Sequence, residues 1–235
     1  PVPPAAGRTM RWPWDRAQRH KALLLVLLSA ASVLLGVVAS LLVKGPTQTP
    51  SLLEGDGRRL FEVRSQWSLG NVVVLVRHAE RCDRSEAPCW QGEDGITTRG
   101  RDNAIALSAA FKHLPLQRAS IYNSPALRTT QTAALAFPGL SKSPAWLSED
   151  CRDDLYHAIL RFKEQGSNLI LVTHSTCISK IHDERGEPLL HIDFSDPRSY
   201  GVSVFLAVDQ REGRLYPIGY LQAEHWAAAG PRLIP

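Results

Sequence analysis

The sequence predicts an α/β fold, a three-layer α/β/α sandwich around a mostly parallel sheet, preceded by one transmembrane helix. Three observations predict it. Val72-Val-Val-Leu-Val76 is a run of apolar, mostly β-branched residues, the pattern of a strand buried on both faces. Further strand-like runs alternate with stretches of helical spacing, the order that builds a layered α/β domain. Residues 22–43 carry no charge over their whole length and, as a helix, would span about 33 Å, enough to cross the hydrocarbon core of a bilayer.

In chain order, residues 1–21 form a basic leader. They hold Arg8, Arg11, Arg16, Arg19 and Lys21 against Asp15 alone. The net charge of +4 therefore belongs to the leader, because the rest of the chain carries 22 Lys+Arg and 22 Asp+Glu. A neutral globular part gives no polybasic face for DNA or RNA, so no nucleic-acid partner is expected. Met10 is the only methionine, and Met10-Arg-Trp-Pro-Trp reads as the start of a natural leader, with residues 1–9 upstream of it.

Positive charge before residues 22–43 and only Lys44 close behind them put the leader in the cytoplasm and the large domain outside. A cleavable signal peptide, cut near residues 29–32 or 39–40, is the competing reading. The run exceeds the ~7–15 residues of a signal-peptide core, which favours an uncleaved signal-anchor. Residues 44–57, broken by Gly and Pro, read as a linker. Residues 58–235 then form the domain, long enough to bury a sizeable core.

Within the domain, residues 58–67 fit a short amphipathic helix with Leu60, Phe61 and Val63 inward. The strand at 72–76 follows, with Arg77, His78, Glu80 and Arg81 at its C-terminal end. Residues 82–95 form a polar loop holding Cys82 and Cys89. Ala104, Leu107, Ala110 and Phe111 give helical spacing over 101–111. Residues 120–124 read as a short strand, and Pro125 marks the start of a helix with Arg128 about one turn in. Residues 168–173 form another buried strand, ending at His174. Residues 202–208 and 215–220 read as an antiparallel hairpin at one edge.

Three strand ends thus carry Arg77-His78, the turn from Ser124 to Arg128, and His174. Ligands of open α/β sheets bind at the carboxyl ends of strands. Arginine forks suit phosphoryl oxygens, and a neutral imidazole beside them is a nucleophile. A helix N-terminus after Ser124 adds N–H groups for an anion, making Ser124 a substrate-binding candidate.

Here the chain resembles the histidine phosphatase superfamily, the relatives of phosphoglycerate mutase and acid phosphatases. The resemblance rests on Leu75-Val-Arg-His-Ala-Glu80, Ile96-Thr-Thr-Arg-Gly100, Ser124-Pro-Ala-Leu-Arg-Thr-Thr-Gln-Thr-Ala133 and Val172-Thr-His174, in that order, over residues 70–207. Within the superfamily it is similar to the lipopolysaccharide core heptose(II)-phosphate phosphatase group. That likeness extends through Cys82-Asp83, Cys89, Asp94-Gly-Ile-Thr97, Cys151 and Asp154-Leu-Tyr156, to Thr173-His-Ser-Thr-Cys177. It implies the phosphoglycerate mutase-like fold and an exported, metal-independent phosphomonoesterase without a cofactor. A phosphorylated sugar of the cell envelope is the substrate it suggests.

By the same resemblance His78 is the nucleophile and Arg77, Arg128 and His174 hold the phosphoryl group. Arg81 is a further phosphate ligand or a solvated loop charge. The acid of the acid-phosphatase branch is absent, because Ser175 follows the second histidine. The proton donor is therefore Asp154, which matches the heptose-phosphatase pattern, or Glu149, which matches the mutase-like one; Asp154 is preferred. Four cysteines in a domain placed outside the cytoplasm suit two disulfides. Of the three connectivities, Cys82–Cys89 with Cys151–Cys177 is favoured, and the spacing fits no zinc site. Alternatives to the phosphomonoesterase are a protein phosphohistidine phosphatase, a mutase-like enzyme, or an inactive anchored phosphate-binding domain. His113, His157, His182, His191 and His225 lack motif context, and Tyr200-Gly201 is a candidate for the pocket wall.

Overall fold

The computed structural model describes residues 16–42, 48–148 and 154–233, with the side chains of 16, 17, 19 and 36–42 outside that set. The chain divides into two compact units, Pro1–Thr47 and Gln48–Pro235. The first contains one helix, α1 (Arg16–Leu42), whose Leu23, Leu28 and Leu35 are among its exposed apolar side chains. Among the described residues, no helix is long and apolar enough to cross a membrane. Part of the expected anchor, residues 36–43, lies outside the described side chains.

The second unit runs α2 (Arg58–Ser68), β1 (Val72–Arg77), α3 (Thr98–Phe111), β2 (Ala119–Asn123), α4 (Leu127–Ala136), β3 (Ser141–Lys142), α5 (Leu155–Phe162), β4 (Asn168–Thr173), α6 (Ser175–Ser179), β5 (Ser203–Asp209), β6 (Arg214–Leu221) and α7 (Trp226–Leu233). The strands form one sheet in the order β3-β2-β4-β1-β5-β6. Pairs β3/β2, β2/β4 and β4/β1 are parallel; β1/β5 and β5/β6 are antiparallel, so the sheet is mixed.

Alternation along the buried strands separates two apolar layers. Val72, Val74 and Val76 of β1 pack with Leu60, Phe111, Phe137 and Trp226 on the side of α2, α3, α4 and α7. Val73 and Leu75 face Leu155, Ile159, Cys177 and Ile178 of α5 and α6. A strand buried on both faces needs apolar residues at every position, which is why this run does not alternate with polar residues. In the thicker layer, Phe111 meets Phe137 edge-on at 4.8 Å and Trp226 at 4.5 Å between ring centroids.

Two contacts bring β1 and β4 side by side. Asn168, buried, accepts from Val72 N and donates to Trp67 O, both at 3.0 Å, satisfying backbone groups where α2 ends and β1 begins. Gly70 has φ +72°, and a Cβ there would lie 2.2 Å from the Gly166 backbone. Only glycine permits that approach of the two turns leading into the two site-bearing strands.

Several expectations need correction. The linker ends earlier than residue 57: Thr49 N donates to His191 O, Leu52 N to Tyr220 O, and Leu52 is fully buried in the larger core. Long-range backbone pairing converts a stretch of turn-like composition into part of the domain. Phe61 points out, 68% exposed, because α2 buries Leu60, Val63 and Trp67, a stripe at helical spacing that Phe61 falls outside. Helix α4 begins at Leu127 after an extended Ala126, so Arg128 is its second residue rather than a turn inside it. The elements β3, α6 and α7 have no clear sequence signal, being short or lacking periodic polarity.

Candidate active site

The carboxyl ends of β1, β2 and β4 are neighbours in the sheet, and their register brings the three predicted segments to one level. Arg77 is opposite Thr173, His78 N donates to Thr173 O at 3.0 Å, and Ser124 N to Val172 O at 2.9 Å. His78 and His174 are both buried, with ring centroids 5.5 Å apart and planes at 61°.

His78 is 3% exposed, and its Nδ1 lies 2.8 Å from Ala79 O. A carbonyl only accepts, so Nδ1 carries the proton and Nε2 keeps its lone pair. Burial pushes the His78 pKa well below its ordinary 6.5; the Ala79 carbonyl opposes this, while His174, Arg128 and Arg77 add to it. The imidazole is therefore neutral at neutral pH, the state a nucleophile requires.

His174 is oriented from both sides. Arg128 Nη2 donates to its Nδ1 at 3.2 Å, and its Nε2 lies 2.9 Å from Ser124 Oγ. Because guanidinium has no acceptor, Nδ1 accepts and Nε2–H donates to Ser124. Ser124 is fully buried, so its hydroxyl orients His174 rather than standing open to a ligand. Arg128 is partly buried in the opening turn of α4. The same helix fastens the loop that follows His78: Ala79 N donates to Thr132 Oγ1 at 3.0 Å and Ile96 N to Gln131 Oε1 at 2.8 Å.

Arg77 is buried. Its Nη1 donates to Phe194 O at 3.1 Å and to Ser199 Oγ, and its Cζ lies 3.9 Å from the Tyr200 ring centroid. Its Nε is buried with no hydrogen-bond partner among the described residues, as suits a site that receives an anion. Burial lowers the Arg77 pKa, with Tyr200 opposing and Arg81 and Arg84 adding repulsion. Those two arginines, with Asp83, thus belong to the pocket's electrostatic neighbourhood.

Arg81 itself is forked onto Asp83. That pairing holds it at the pocket's rim as a partner of Asp83. Glu80 ties the loop down, its carboxylate accepting from Thr97 Oγ1 at 2.7 Å, from Ser85 Oγ at 3.0 Å and from both Nε and Nη2 of Arg99. Burial alone would raise the Glu80 pKa, but these donors outweigh it and hold the carboxyl below the usual range. Cys82 and Cys89 form a disulfide with a Cα–Cα separation of 5.2 Å, closing the same loop. Cys177 is disulfide-bonded and buried; its expected partner Cys151 lies outside the described residues.

Asp154 stands exposed at the start of α5 with its Oδ1 2.8 Å from His157 Nδ1, and none of its described contacts is with a pocket residue. Glu149 lies outside the described residues. Sequence reasoning missed Phe194 and Ser199, which hold Arg77 from a segment without motif, and the clasp of Glu80 by Arg99. Tyr200 was named, and it lies 5.8 Å from the His78 ring. Among the described residues, no group of three or more His, Cys, Asp or Glu is arranged to hold a metal ion.

Residues 73–153 match the family model of the histidine phosphatase superfamily, branch 1. The chain is 40% identical over 112 residues to a lipopolysaccharide core heptose(II)-phosphate phosphatase of Salmonella newport, and 39% identical to that of Salmonella typhimurium. Each alignment takes in 47% of this chain and 55% of the relative, so the chain spans about half the length of the curated relatives it matches. Among solved structures, the phosphoserine phosphatase from Entamoeba histolytica covers 66% of this chain and 98% of its own at a TM-score of 0.45 and 13% identity. Arg77, His78 and Arg128 lie within the segment that matches the histidine phosphatase model, and His174 lies beyond it, at the end of the neighbouring strand β4.

Proposed function

We propose that the domain is a phosphomonoesterase working through a phosphohistidine at His78. The observation that carries this reading is a buried, neutral imidazole with its Nε2 lone pair uncommitted, beside a buried arginine whose Nε has no partner among the described residues. In the reaction, Nε2 of His78 forms a bond to phosphorus as the ester P–O bond breaks. Arg77 and Arg128 neutralise charge on the phosphoryl oxygens, His174 adds an N–H donor once its Nε2–H turns from Ser124 to the phosphoryl group, and positioning with electrostatics supplies most of the catalysis. Asp154, or Glu149, gives the departing oxygen its proton. Water then attacks the phosphohistidine, returning a proton to that acid and freeing phosphate and His78. Because cationic side chains supply the positive charge, activity is expected to survive chelators.

The substrate we propose is a phosphorylated sugar of the cell envelope, supported by the names of the relatives. The site of action we propose is outside the cytoplasmic membrane, with residues 22–43 as an uncleaved anchor. An uncharged run following five basic side chains supports the anchor. A disulfide beside the nucleophile supports an oxidising compartment. Retention on membranes after a high-salt wash is the expected result; a soluble mature chain beginning after residue 29 would argue for a signal peptide.

The direct test is acid quenching during turnover of labelled substrate. Wild-type chain should trap phosphate that is labile in acid and stable in base, and His78→Ala should trap none while losing more than roughly 10³-fold in rate. A wild-type chain that binds phosphate esters, turns none over, and loses no binding on His78→Ala would instead be a binding domain.

A further inference from the structure

The wall that holds Arg77 comes from a part of the chain without phosphate-binding pattern. Two backbone hydrogen bonds register it against the nucleophile: Arg77 N donates to Val202 O at 3.0 Å, and Gly201 N to His78 O at 3.4 Å. Gly201 has φ +72°, and a Cβ there would press on Ala223, Asn103 and Leu107 at 3.3–3.4 Å. This turn sets the Tyr200 ring 3.9 Å from the Arg77 Cζ. Nη1 is committed to Phe194 O and Ser199 Oγ. With Nη1 used and a ring against the guanidinium plane, what remains for a ligand is the Nε–Nη2 edge, whose Nε is buried and unpartnered among the described residues. That edge is one of the two through which a guanidinium forks onto an oxyanion.

We propose that Tyr200, together with Ser199, is a positioning residue that presets Arg77 so that its Nε–Nη2 edge receives the phosphoryl group. Side-chain freedom of Arg77 is then lost on folding rather than on binding, which strengthens affinity without a new ligand contact. The inference rests on the phosphatase reading only for the identity of the anion.

The test is titration of the full-length chain with inorganic phosphate by calorimetry, alongside kinetics. Removing a ring–guanidinium contact weakens an interaction by about 2- to 30-fold. Tyr200→Leu is expected to weaken phosphate binding within that range and to raise KM more than it lowers kcat, with an unchanged melting temperature. Tyr200→Phe, which keeps the ring face, should stay within about twofold of wild type. In an Arg77→Lys background, where the planar fork is gone, Tyr200→Leu should add almost nothing. Should Tyr200→Leu not fold, Ser199→Ala, which removes one acceptor of Nη1 and leaves the ring, is expected to weaken phosphate several-fold. Folded Tyr200→Leu that binds phosphate as wild type does overturns the proposal, as does an equal loss in the Arg77→Lys background. Wild-type chain that binds no phosphate also overturns it. Wild-type chain that binds phosphate but hydrolyses no ester removes the phosphatase reading, and the binding series still decides the role of Tyr200.

Discussion

His78 makes stability depend on pH in a direction that can be worked out beforehand. Burial holds its native pKa well below the 6.5 of an unfolded histidine. Above 6.5 both states are neutral and the group contributes nothing to the pH dependence. Below it, the unfolded chain takes up a proton that the native state excludes. More protons are bound in the unfolded state, so stability falls as pH falls. For one such group the slope is at most about 1.4 kcal/mol per pH unit. From pH 7.5 to 5 the loss reaches a ceiling of about 2 kcal/mol if the native imidazole stays neutral throughout. The perturbation is His78→Gln, which keeps an amide donor near Ala79 O and removes the titration. Urea unfolding of wild type and variant at half-unit steps gives a difference curve in which carboxylate titrations common to both cancel. Wild type should lose stability relative to the variant on acidification below pH 6.5. A flat difference, within about 0.3 kcal/mol, or one of opposite sign would refute the neutral, desolvated state of the His78 imidazole.

The remaining predictions address the segment boundaries, the cysteines and the acid. Leu52→Ala should cost about 2–5 kcal/mol in urea unfolding, because Leu52 is fully buried, whereas Phe61→Ser should change stability by less than about 0.5 kcal/mol; equal effects would return residues 48–53 to the linker. Non-reducing peptide mapping should yield Cys82–Cys89 and Cys151–Cys177, and replacing Cys82 and Cys89 by Ser should cost about 2–3 kcal/mol. Four free thiols in protein from its native compartment would contradict the pairing and the exported setting together. Asp154→Asn should depress hydrolysis of alkyl phosphates and spare p-nitrophenyl phosphate, whose leaving group needs little protonation. If Glu149→Gln shows that dependence and Asp154→Asn does not, Glu149 is the acid.

Much of the floor of the candidate site was legible because it is written locally. A strand buried on both faces needs consecutive apolar residues, and its end is marked by the change at Arg77-His78. The strand at His174 reads the same way, and Ser124 to Arg128 sits where a strand gives way to a helix. The hairpin of β5 and β6 was visible through its polar turn. Boundaries were less secure where propensity competes with distant contacts. Residues 48–53 look like linker because their order comes from bonds to His191 and Tyr220, far along the chain. Phe61 looked like core because apolarity alone does not say which face of a helix meets the sheet.

By itself the sequence determined the α/β class and the three strand ends at which the paired histidines and arginines of the candidate site meet. These depend on periodicity and on residue type, which are local properties. Only the tertiary structure decided which atoms of those residues are committed. The Ala79 carbonyl selects the His78 tautomer, Ser124 turns from a ligand contact into the partner of His174, and Asp83 engages Arg81. Phe194, Ser199 and Tyr200 take one nitrogen and one face of Arg77. The commitments of Arg77 need donors, acceptors and ring faces brought within a few ångströms from segments more than a hundred residues apart. Hydrogen bonding and desolvation act through space, so no spacing along the chain encodes them.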